Sequence, residues 1–353
     1  MLQTASGQIK ESLLGKTLSE LKELAKKLEL PVFTGGQIAY WLYKTNIQSF
    51  GEMSNISKKV RSLLEENFSL GSIDSVKVQQ SADGTKKYLF PTATGKFIES
   101  AFIPDERRNT LCVSTQVGCK MGCLFCMTGK QGFQANLSSA EILNQLRSLP
   151  ERASVTNIVF MGMGEPFDNL SEVMKAQEIL TSEYGFAISV RKVTVSTIGL
   201  VPAMKVFLEK SKCNLAVSLH TPFDEERRQL MPIQHVYPIK EVIDTINQFD
   251  LGKYRRVSME YIVFGELNDT SRHVKELARL LNKTRCRINL IRFHPVPGVP
   301  LPGTNEERLL AFQRALNDKG IITTVRASRG LDIDAACGLL STKALMKPIT
   351  PSL

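Results

Sequence analysis

NTLCVSTQVGCKMGCLFC, residues 109–126, decides how the rest of this chain is read. Its first ten residues read as a strand. The chain then turns at Gly118 and places Cys119, Cys123 and Cys126 within eight residues. In a parallel α/β fold, the loop after a strand lies on the ligand-binding face. The sequence downstream has the matching alternation. Strand-like runs TNIVFM (156–161), KVTVST (192–197), NLAVSL (214–219), VSMEYIVF (257–264), INLIRF (288–293) and ITTVRA (322–327) are separated by helical runs. SSAEILNQLRSL, SEVMKAQEIL, IKEVIDTINQF, SRHVKELARLLNK and NEERLLAFQRALNDKG carry apolar residues at three and four spacing, the last closed by Gly320. Repeated β-then-α units require right-handed crossovers and a parallel sheet. The fold class expected is therefore α/β, its sheet either open or closed into a barrel; the six units after the cysteine-bearing strand fit a partial (βα)6 or a full (βα) barrel.

Upstream the pattern differs. Thr17-Leu-Ser-Glu20 is a capping-box pattern ahead of LKELAKKLEL. Pro31 and Gly35-Gly36 then interrupt, and QIAYWLYKT (37–45) and SKKVRSLLEENF (57–68) read as two further short helices. Period-two runs follow in SVKVQQSADGTKKYLF (75–90), a hairpin around Asp83-Gly84, and in KFIESAFIP (96–104). Three units are expected: a helical accessory domain at 1–72, a β-rich connecting segment at 73–110 that packs on the barrel, and the barrel core at 111–353.

The 353 residues include 45 Lys and Arg against 35 Asp and Glu, for a net charge of +10 and a pI near 9.2. A 42% hydrophobic fraction is that of a globular protein, which excludes wholesale disorder. No apolar run approaches the ~20 residues of a membrane span. The opening MLQTASGQIKESLLGK has no apolar signal core. Seven cysteines are an odd number, a poor basis for a disulfide framework, so a reducing cytoplasm is expected. The positive balance favours a polyanionic partner, most simply nucleic acid.

Zinc sites commonly take four ligands as two close pairs. Here three thiols stand together and no second pair has comparable spacing. Three thiolates on a four-iron cluster leave one iron free to bind a substrate or cofactor. Buried cysteines in a turn, or a zinc loop with a distant fourth ligand, are the alternatives. CxxxCxxC with an aromatic before the last cysteine resembles the cluster loop of radical S-adenosylmethionine (SAM) enzymes, so the barrel would be a radical-SAM barrel. The resemblance implies a [4Fe-4S] cluster on Cys119, Cys123 and Cys126 whose open iron chelates SAM. Gly162-Met-Gly-Glu165-Pro166, directly after TNIVFM, is similar to the Gly-Glu element that holds the SAM amine in these enzymes. It has neither the Walker nor the dinucleotide spacing.

The match extends further. Cys112, the cluster, Gln131-Gly132-Phe133, MGMGEP, VTVSTIG, LAVSLH, the NLI of INLIRF and DIDAACG follow in an order that resembles the adenosine-C2 RNA methyltransferases of the RlmN type. FTGGQIAYWLY extends the likeness into the N-terminal unit. That family methylates an adenosine of 23S rRNA and position 37 of some tRNAs, using two SAM per turnover. By the resemblance Cys337 carries the methyl group as S-methylcysteine, Cys112 is the resolving thiol, and Glu99 in KFIESAF is the proton acceptor. Gly164, Glu165, Ser196, Ser218, Leu219, His220 and Asn289 contact SAM. An electron donor such as flavodoxin or ferredoxin is implied, and a monomer is expected. The Cfr type, which methylates C8 of the same rRNA base, is the nearest rival, but QGF and Pro166 look more like the C2 enzymes. RFHPVPG (292–298) departs from the usual pattern. A radical enzyme with a non-RNA substrate needs neither Cys337 nor Cys112, and a non-catalytic Zn or Fe–S nucleic-acid-binding module turns over no SAM.

Two cysteines remain. Cys213 reads as core filler. Cys286 has Arg285 and Arg287 as neighbours that could lower its pKa, or is half-buried. His235, His273 and His294 show no metal-ligand spacing. Basic clusters at Arg107-Arg108, Arg152, 253–256, 283–287 and 326–329 are candidates for phosphate contact or are solvated faces.

Overall fold

The computed structural model describes residues 10–342, so the outer ends of the first and last expected domains lie outside the described residues. The N-terminal unit is closed by a short parallel pair, β1 (Glu11–Ser12) with β2 (Phe68–Ser69). Between them lie α1 (Leu18–Lys27), α2 (Phe33–Tyr43) and α3 (Lys58–Asn67). The Thr17–Glu20 capping box forms at the start of α1. Gly35-Gly36 does not interrupt, however: α2 runs straight through both. A Cβ at Gly35 would lie 2.6 Å from the Lys22 amide nitrogen, so glycine lets α1 and α2 approach backbone to backbone.

Next come the antiparallel strands β3 (Lys77–Gln80), β4 (Lys86–Pro91) and β5 (Phe97–Ile103), with β3 and β4 joined through Asp83-Gly84 as expected. The run 109–118 is not one strand. It splits into β6 (Thr110–Cys112), which joins the main sheet, and β7 (Gln116–Val117), which turns away to pair with β8 (Ala135–Asn136). The short helix α4 (Met127–Gln131) lies between β7 and β8. The remainder alternates: α5 (Ser139–Arg147), β9 (Asn157–Phe160), α6 (Leu170–Thr181), β10 (Val193–Thr197), α7 (Val201–Lys210), β11 (Asn214–Ser218), α8 (Asp224–Leu230), α9 (Ile239–Asn247), β12 (Val257–Val263), α10 (Ser271–Leu281), β13 (Arg287–Arg292), α11 (Glu306–Asp318) and β14 (Thr323–Val325). The sequence pattern did not reveal α7 or α8. In α7, Pro202 looks like a breaker but sits in the first turn, where no amide is missed.

The ten-stranded sheet has the order β14-β13-β12-β11-β10-β9-β6-β5-β4-β3. From β6 to β14 every neighbouring pair is parallel. Sheet order follows chain order there, so right-handed crossovers all step the same way and put their helices on one face. The fold is thus mixed α/β with a central sheet, its βα units in the expected order. The β3–β5 strands continue that sheet through β5 and β6.

One buried cation ties the N-terminal unit to the barrel. Arg147 of α5 is 2% exposed and donates to the carbonyls of Leu42 and Ile47, each at 2.7 Å, and to the Ser72 hydroxyl. Hydrogen bonds from a charged donor contribute about 1.5–3 kcal/mol each.

Candidate functional site

The three-cysteine loop is positioned from several directions. Leu124 N donates to Leu230 O at 3.0 Å, and Met127 N to Gly338 O at 2.8 Å. Thr128 Oγ1 donates to Leu340 O at 2.6 Å, so the C-terminal segment pins α4. Phe125, between Cys123 and Cys126, is buried with Ile198, Leu230, Met231, Ile262 and Phe264. Its ring meets His220 edge-on at 4.7 Å. Burial pushes the Cys119 thiol up to about 12 and Cys123 well above its ordinary value, and each feels the charge of its neighbours in the loop. The buried Arg227, which donates to Ile198 O and Ser218 O at 2.9 and 3.0 Å, acts the other way on Cys123.

These thiols fit an iron–sulfur cluster. They are partly exposed, ringed by apolar side chains, and need a cationic centre to ionise. Among the described residues no three His, Cys, Asp or Glu side chains converge on a single ion. A multi-iron cluster does not require that, because its ligands bind separate metals.

Gly164, Glu165, Ser196 and the 218–220 turn stand at or just past the ends of their strands, whereas Asn289 lies inside β13 rather than at its end as expected. Gly162 and Gly164 follow β9, and their close approach is to the chain itself. A Cβ at Gly164, where φ is +98°, would lie 2.6 Å from Gln116 Cβ. Glu165 is buried. Its carboxylate accepts from Phe167 N at 3.0 Å and Ile198 N at 2.9 Å, which fastens the β9 loop to the end of β10. Desolvation pushes its pKa up to about 7 against those hydrogen bonds. Each oxygen retains acceptor capacity for an ammonium group.

Ser196 lies on β10 and is partly exposed, as is Ser218 at the end of β11; Leu219 is fully buried. His220 has φ +59° and accepts from Ile262 N through Nδ1 at 3.0 Å. Burial, aided by Arg227, drops its pKa to about 3, so the ring is neutral and braces Phe125. Asn289 Nδ2 donates to Glu260 Oε1 at 2.8 Å, and its Oδ1 accepts from Thr324 at 2.8 Å.

Glu260 is a residue that sequence reasoning missed. It is 4% exposed in the fully buried strand β12 and also receives Ser258 Oγ at 2.8 Å and Arg326 Nη1 at 3.2 Å. Register aligns Ser218, Glu260, Asn289 and Thr324 across four adjacent strands. The available signal was a lone carboxylate inside an otherwise apolar run, VSMEYIVF.

The segment that leads to Cys337 packs on Cys112, although the two are remote in sequence. Cys112 is buried and packs with Ala101, Ile333 and Ala335, the last two from the segment that leads to Cys337. Burial, and then the Cys337 charge, push the Cys112 thiol up to about 12; Arg326 opposes. Cys337 is exposed. Its loop is held at the start by hydrogen bonds from Gly330 N to Asp83 (2.8 Å) and from Ala82 N to Asp332 (3.1 Å). At its far end Ser341 N donates to Glu99 Oε2 at 2.9 Å. Glu99 is 7% exposed and pairs with Lys87 at 3.1 Å. Burial raises its pKa, and Lys87 and Ser341 N pull it down only in part.

Other candidates resolve differently. Cys213 is fully buried in the core. Cys286 is not activated by its arginine neighbours: burial pushes it up to about 12. Arg152 is no phosphate contact, because its guanidinium donates to Tyr43 O and Thr45 O at 2.8 Å and lies over Phe186. His273 is a packing residue between Thr270 and Glu226, both at 2.8 Å. No helix among the described residues is long and apolar enough to cross a membrane.

Residues 113–281 match the radical SAM superfamily, and residues 11–70 match the N-terminal domain of ribosomal RNA large subunit methyltransferases. A probable dual-specificity RNA methyltransferase RlmN of Parabacteroides distasonis is 54% identical over 333 residues, covering 94% of this chain and 97% of the relative. The dual-specificity RNA methyltransferase RlmN of Syntrophobacter fumaroxidans is 42% identical over 328 residues, 92% of this chain and 96% of that one. The crystal structure of a radical SAM methyltransferase from Sphaerobacter thermophilus superposes with a TM-score of 0.87 at 39% identity, covering 94% of this chain and 99% of that one.

Proposed function

Since the chain belongs to the RlmN family of radical SAM RNA methyltransferases, we propose that it methylates C2 of an adenosine in 23S rRNA and of adenosine 37 in tRNA. An aromatic adenine carbon is not nucleophilic, so direct attack on a methyl sulfonium is closed. A [4Fe-4S] cluster on Cys119, Cys123 and Cys126, with SAM used twice per turnover, would supply both a methyl group and a hydrogen-abstracting radical. Glu165, Ser196, the 218–220 turn and Asn289 would hold SAM.

The chain's own thiols do the rest. Cys337 accepts the methyl group on sulfur and, activated there, bonds through that carbon to the base. Glu99 takes the proton from the adduct carbon, and burial, by raising its pKa, makes it a stronger base than an ordinary carboxylate. The Cys112 sulfur then attacks the Cys337 sulfur. The bond from Cys337 to carbon breaks, that carbon takes up a proton to become the methyl group, methylated RNA departs, and the Cys112–Cys337 disulfide left behind is reduced by two electrons from a thiol reductant before the next turnover. Flavodoxin or ferredoxin supplies electrons, and the enzyme works as a cytoplasmic monomer.

One observation carries this reading above the alternatives. The segment that leads to the exposed thiol packs on the buried thiol, the two are close enough to interact electrostatically, and the loop of the exposed one is hydrogen-bonded to a buried carboxylate. A radical enzyme with a small substrate, or a binding module, has no use for that pair. The test is nucleoside mass spectrometry of rRNA and tRNA from a deletion strain, with and without the gene restored. Loss of 2-methyladenosine from both RNAs, and its return, is expected. Unchanged 2-methyladenosine, or loss of 8-methyladenosine instead, refutes the reading.

A further inference from the structure

The catalytic groups line the carboxyl ends of the parallel strands. The opposite rim, where those strands begin, carries a charge that the reaction does not use. Arg191 lies two residues before β10, Lys212 precedes β11, Lys253 and Arg256 precede β12, and Lys283 precedes β13. All five are exposed, and among the described residues none forms an ion pair. The four connecting segments, 190–192, 209–213, 250–256 and 282–287, hold ten Lys and Arg against two carboxylates. That surplus is most of the chain's net +10.

These segments form one continuous edge. Asn214 joins two of them, donating to Arg191 O at 2.9 Å while accepting from Arg256 N at 3.1 Å. Arg285 joins a third, donating to Gly252 O and Lys253 O at 3.0 and 3.1 Å. At the centre stands Tyr254, 62% exposed, with Arg191 and Lys253 over its ring at 5.4 and 5.8 Å. An exposed aromatic among unpaired cations offers phosphate neutralisation and a stacking face together, the two contacts by which proteins hold RNA without reading its sequence.

We infer that this rim is a second RNA-docking surface, which grips the backbone of the substrate RNA at a distance from the base being modified. The inference rests on the RNA-methyltransferase reading above. A strand of five residues spans about 17 Å, so only RNA that extends well beyond the target loop reaches both faces.

The test compares a full-length tRNA transcript with its isolated anticodon stem-loop as methyl acceptors. It uses the iron-loaded wild type, a Lys253→Glu/Arg256→Glu/Lys283→Glu variant and Tyr254→Ala. For full-length tRNA the triple variant should raise KM at least tenfold with kcat at saturation retained. It should also lower the slope of log affinity against log salt by roughly two to three. Tyr254→Ala should raise the same KM several-fold, and the stem-loop KM should stay within twofold for both variants. Unchanged KM and salt slope with tRNA overturn the inference and leave the charge for an acidic protein. A parallel loss on both substrates also overturns it, as the mark of a disturbed catalytic face. If wild type methylates neither RNA, the enzymatic reading falls and this inference with it; if wild type methylates both and the variants match it, only the rim is lost.

Discussion

Glu99→Gln separates the chemistry of the site from its stability. Glu99 and Lys87 form an ion pair at 3.1 Å with side chains 10% and 8% exposed. Removing one partner of a buried pair costs about 3–5 kcal/mol, because the other is left charged and unpaired. Glutamine still offers Ser341 N an acceptor, so the lower end, about 3 kcal/mol, is expected. The loss of a general base slows a step by roughly 10²–10⁴, about 3–5 kcal/mol in the barrier. The two effects are of similar size and are told apart by adding Lys87→Met, which removes the stranded ammonium. Urea unfolding should show stability largely regained in the double variant. Anaerobic single-turnover reactions on denaturing gels should show both variants accumulating RNA crosslinked to protein. Normal turnover in the double variant would refute the assignment of Glu99 as base. The pH dependence has a definite sign. Burial raises the Glu99 pKa, and the base works only when ionised. The resolving step should therefore slow as pH falls through a value above the usual carboxylate range, and that limb should vanish in Glu99→Gln. For stability the same shift favours the folded state at low pH, and this contribution is lost as pH rises through the raised folded value.

Cys337→Ala should abolish RNA methylation and, by peptide mass spectrometry, remove S-methylcysteine, whereas Cys112→Ala should retain methyl loading yet trap the RNA crosslink. Free, fully methylated RNA from Cys112→Ala would exclude it as the resolving thiol. Alanine at Cys119, Cys123 or Cys126 should reduce bound iron from about four per chain toward none and abolish reductive SAM cleavage, read by iron assay and chromatography. Gly35→Ala should destabilise the N-terminal unit by about 1–3 kcal/mol, because its methyl group meets the α1 backbone; an unchanged denaturation midpoint would show that the two helices separate freely.

The barrel was legible because its signals are local. The strands read as short runs rich in β-branched and apolar residues, continuous where both faces are buried as in β12 and alternating where one face is, as in β10, and crossover helices read as three-and-four spacing. The failures have specific causes. Gly35-Gly36 looked like a break, but helical glycine is tolerated where another helix presses on it. The run 109–118 looked like one strand, but β7 leaves the sheet to pair with β8. At the site, the thiol loop and the Gly-Glu turn stood out by spacing and resemblance. Glu260 and Arg227 did not, since a buried charge is recognisable only once its partners are known.

The sequence by itself determined which groups exist and in what order: three closely spaced thiols, alternating strands and helices, and a capped N-terminal helix. These depend on neighbours within a few residues. Only the tertiary structure decided that the segment bearing Cys337 packs on Cys112, that Glu99 is buried against Lys87 and Ser341, that Arg152 is spent on carbonyls, and that unpaired cations gather on one rim. Those outcomes follow from desolvation and from contacts between residues far apart in the chain, which no local pattern records.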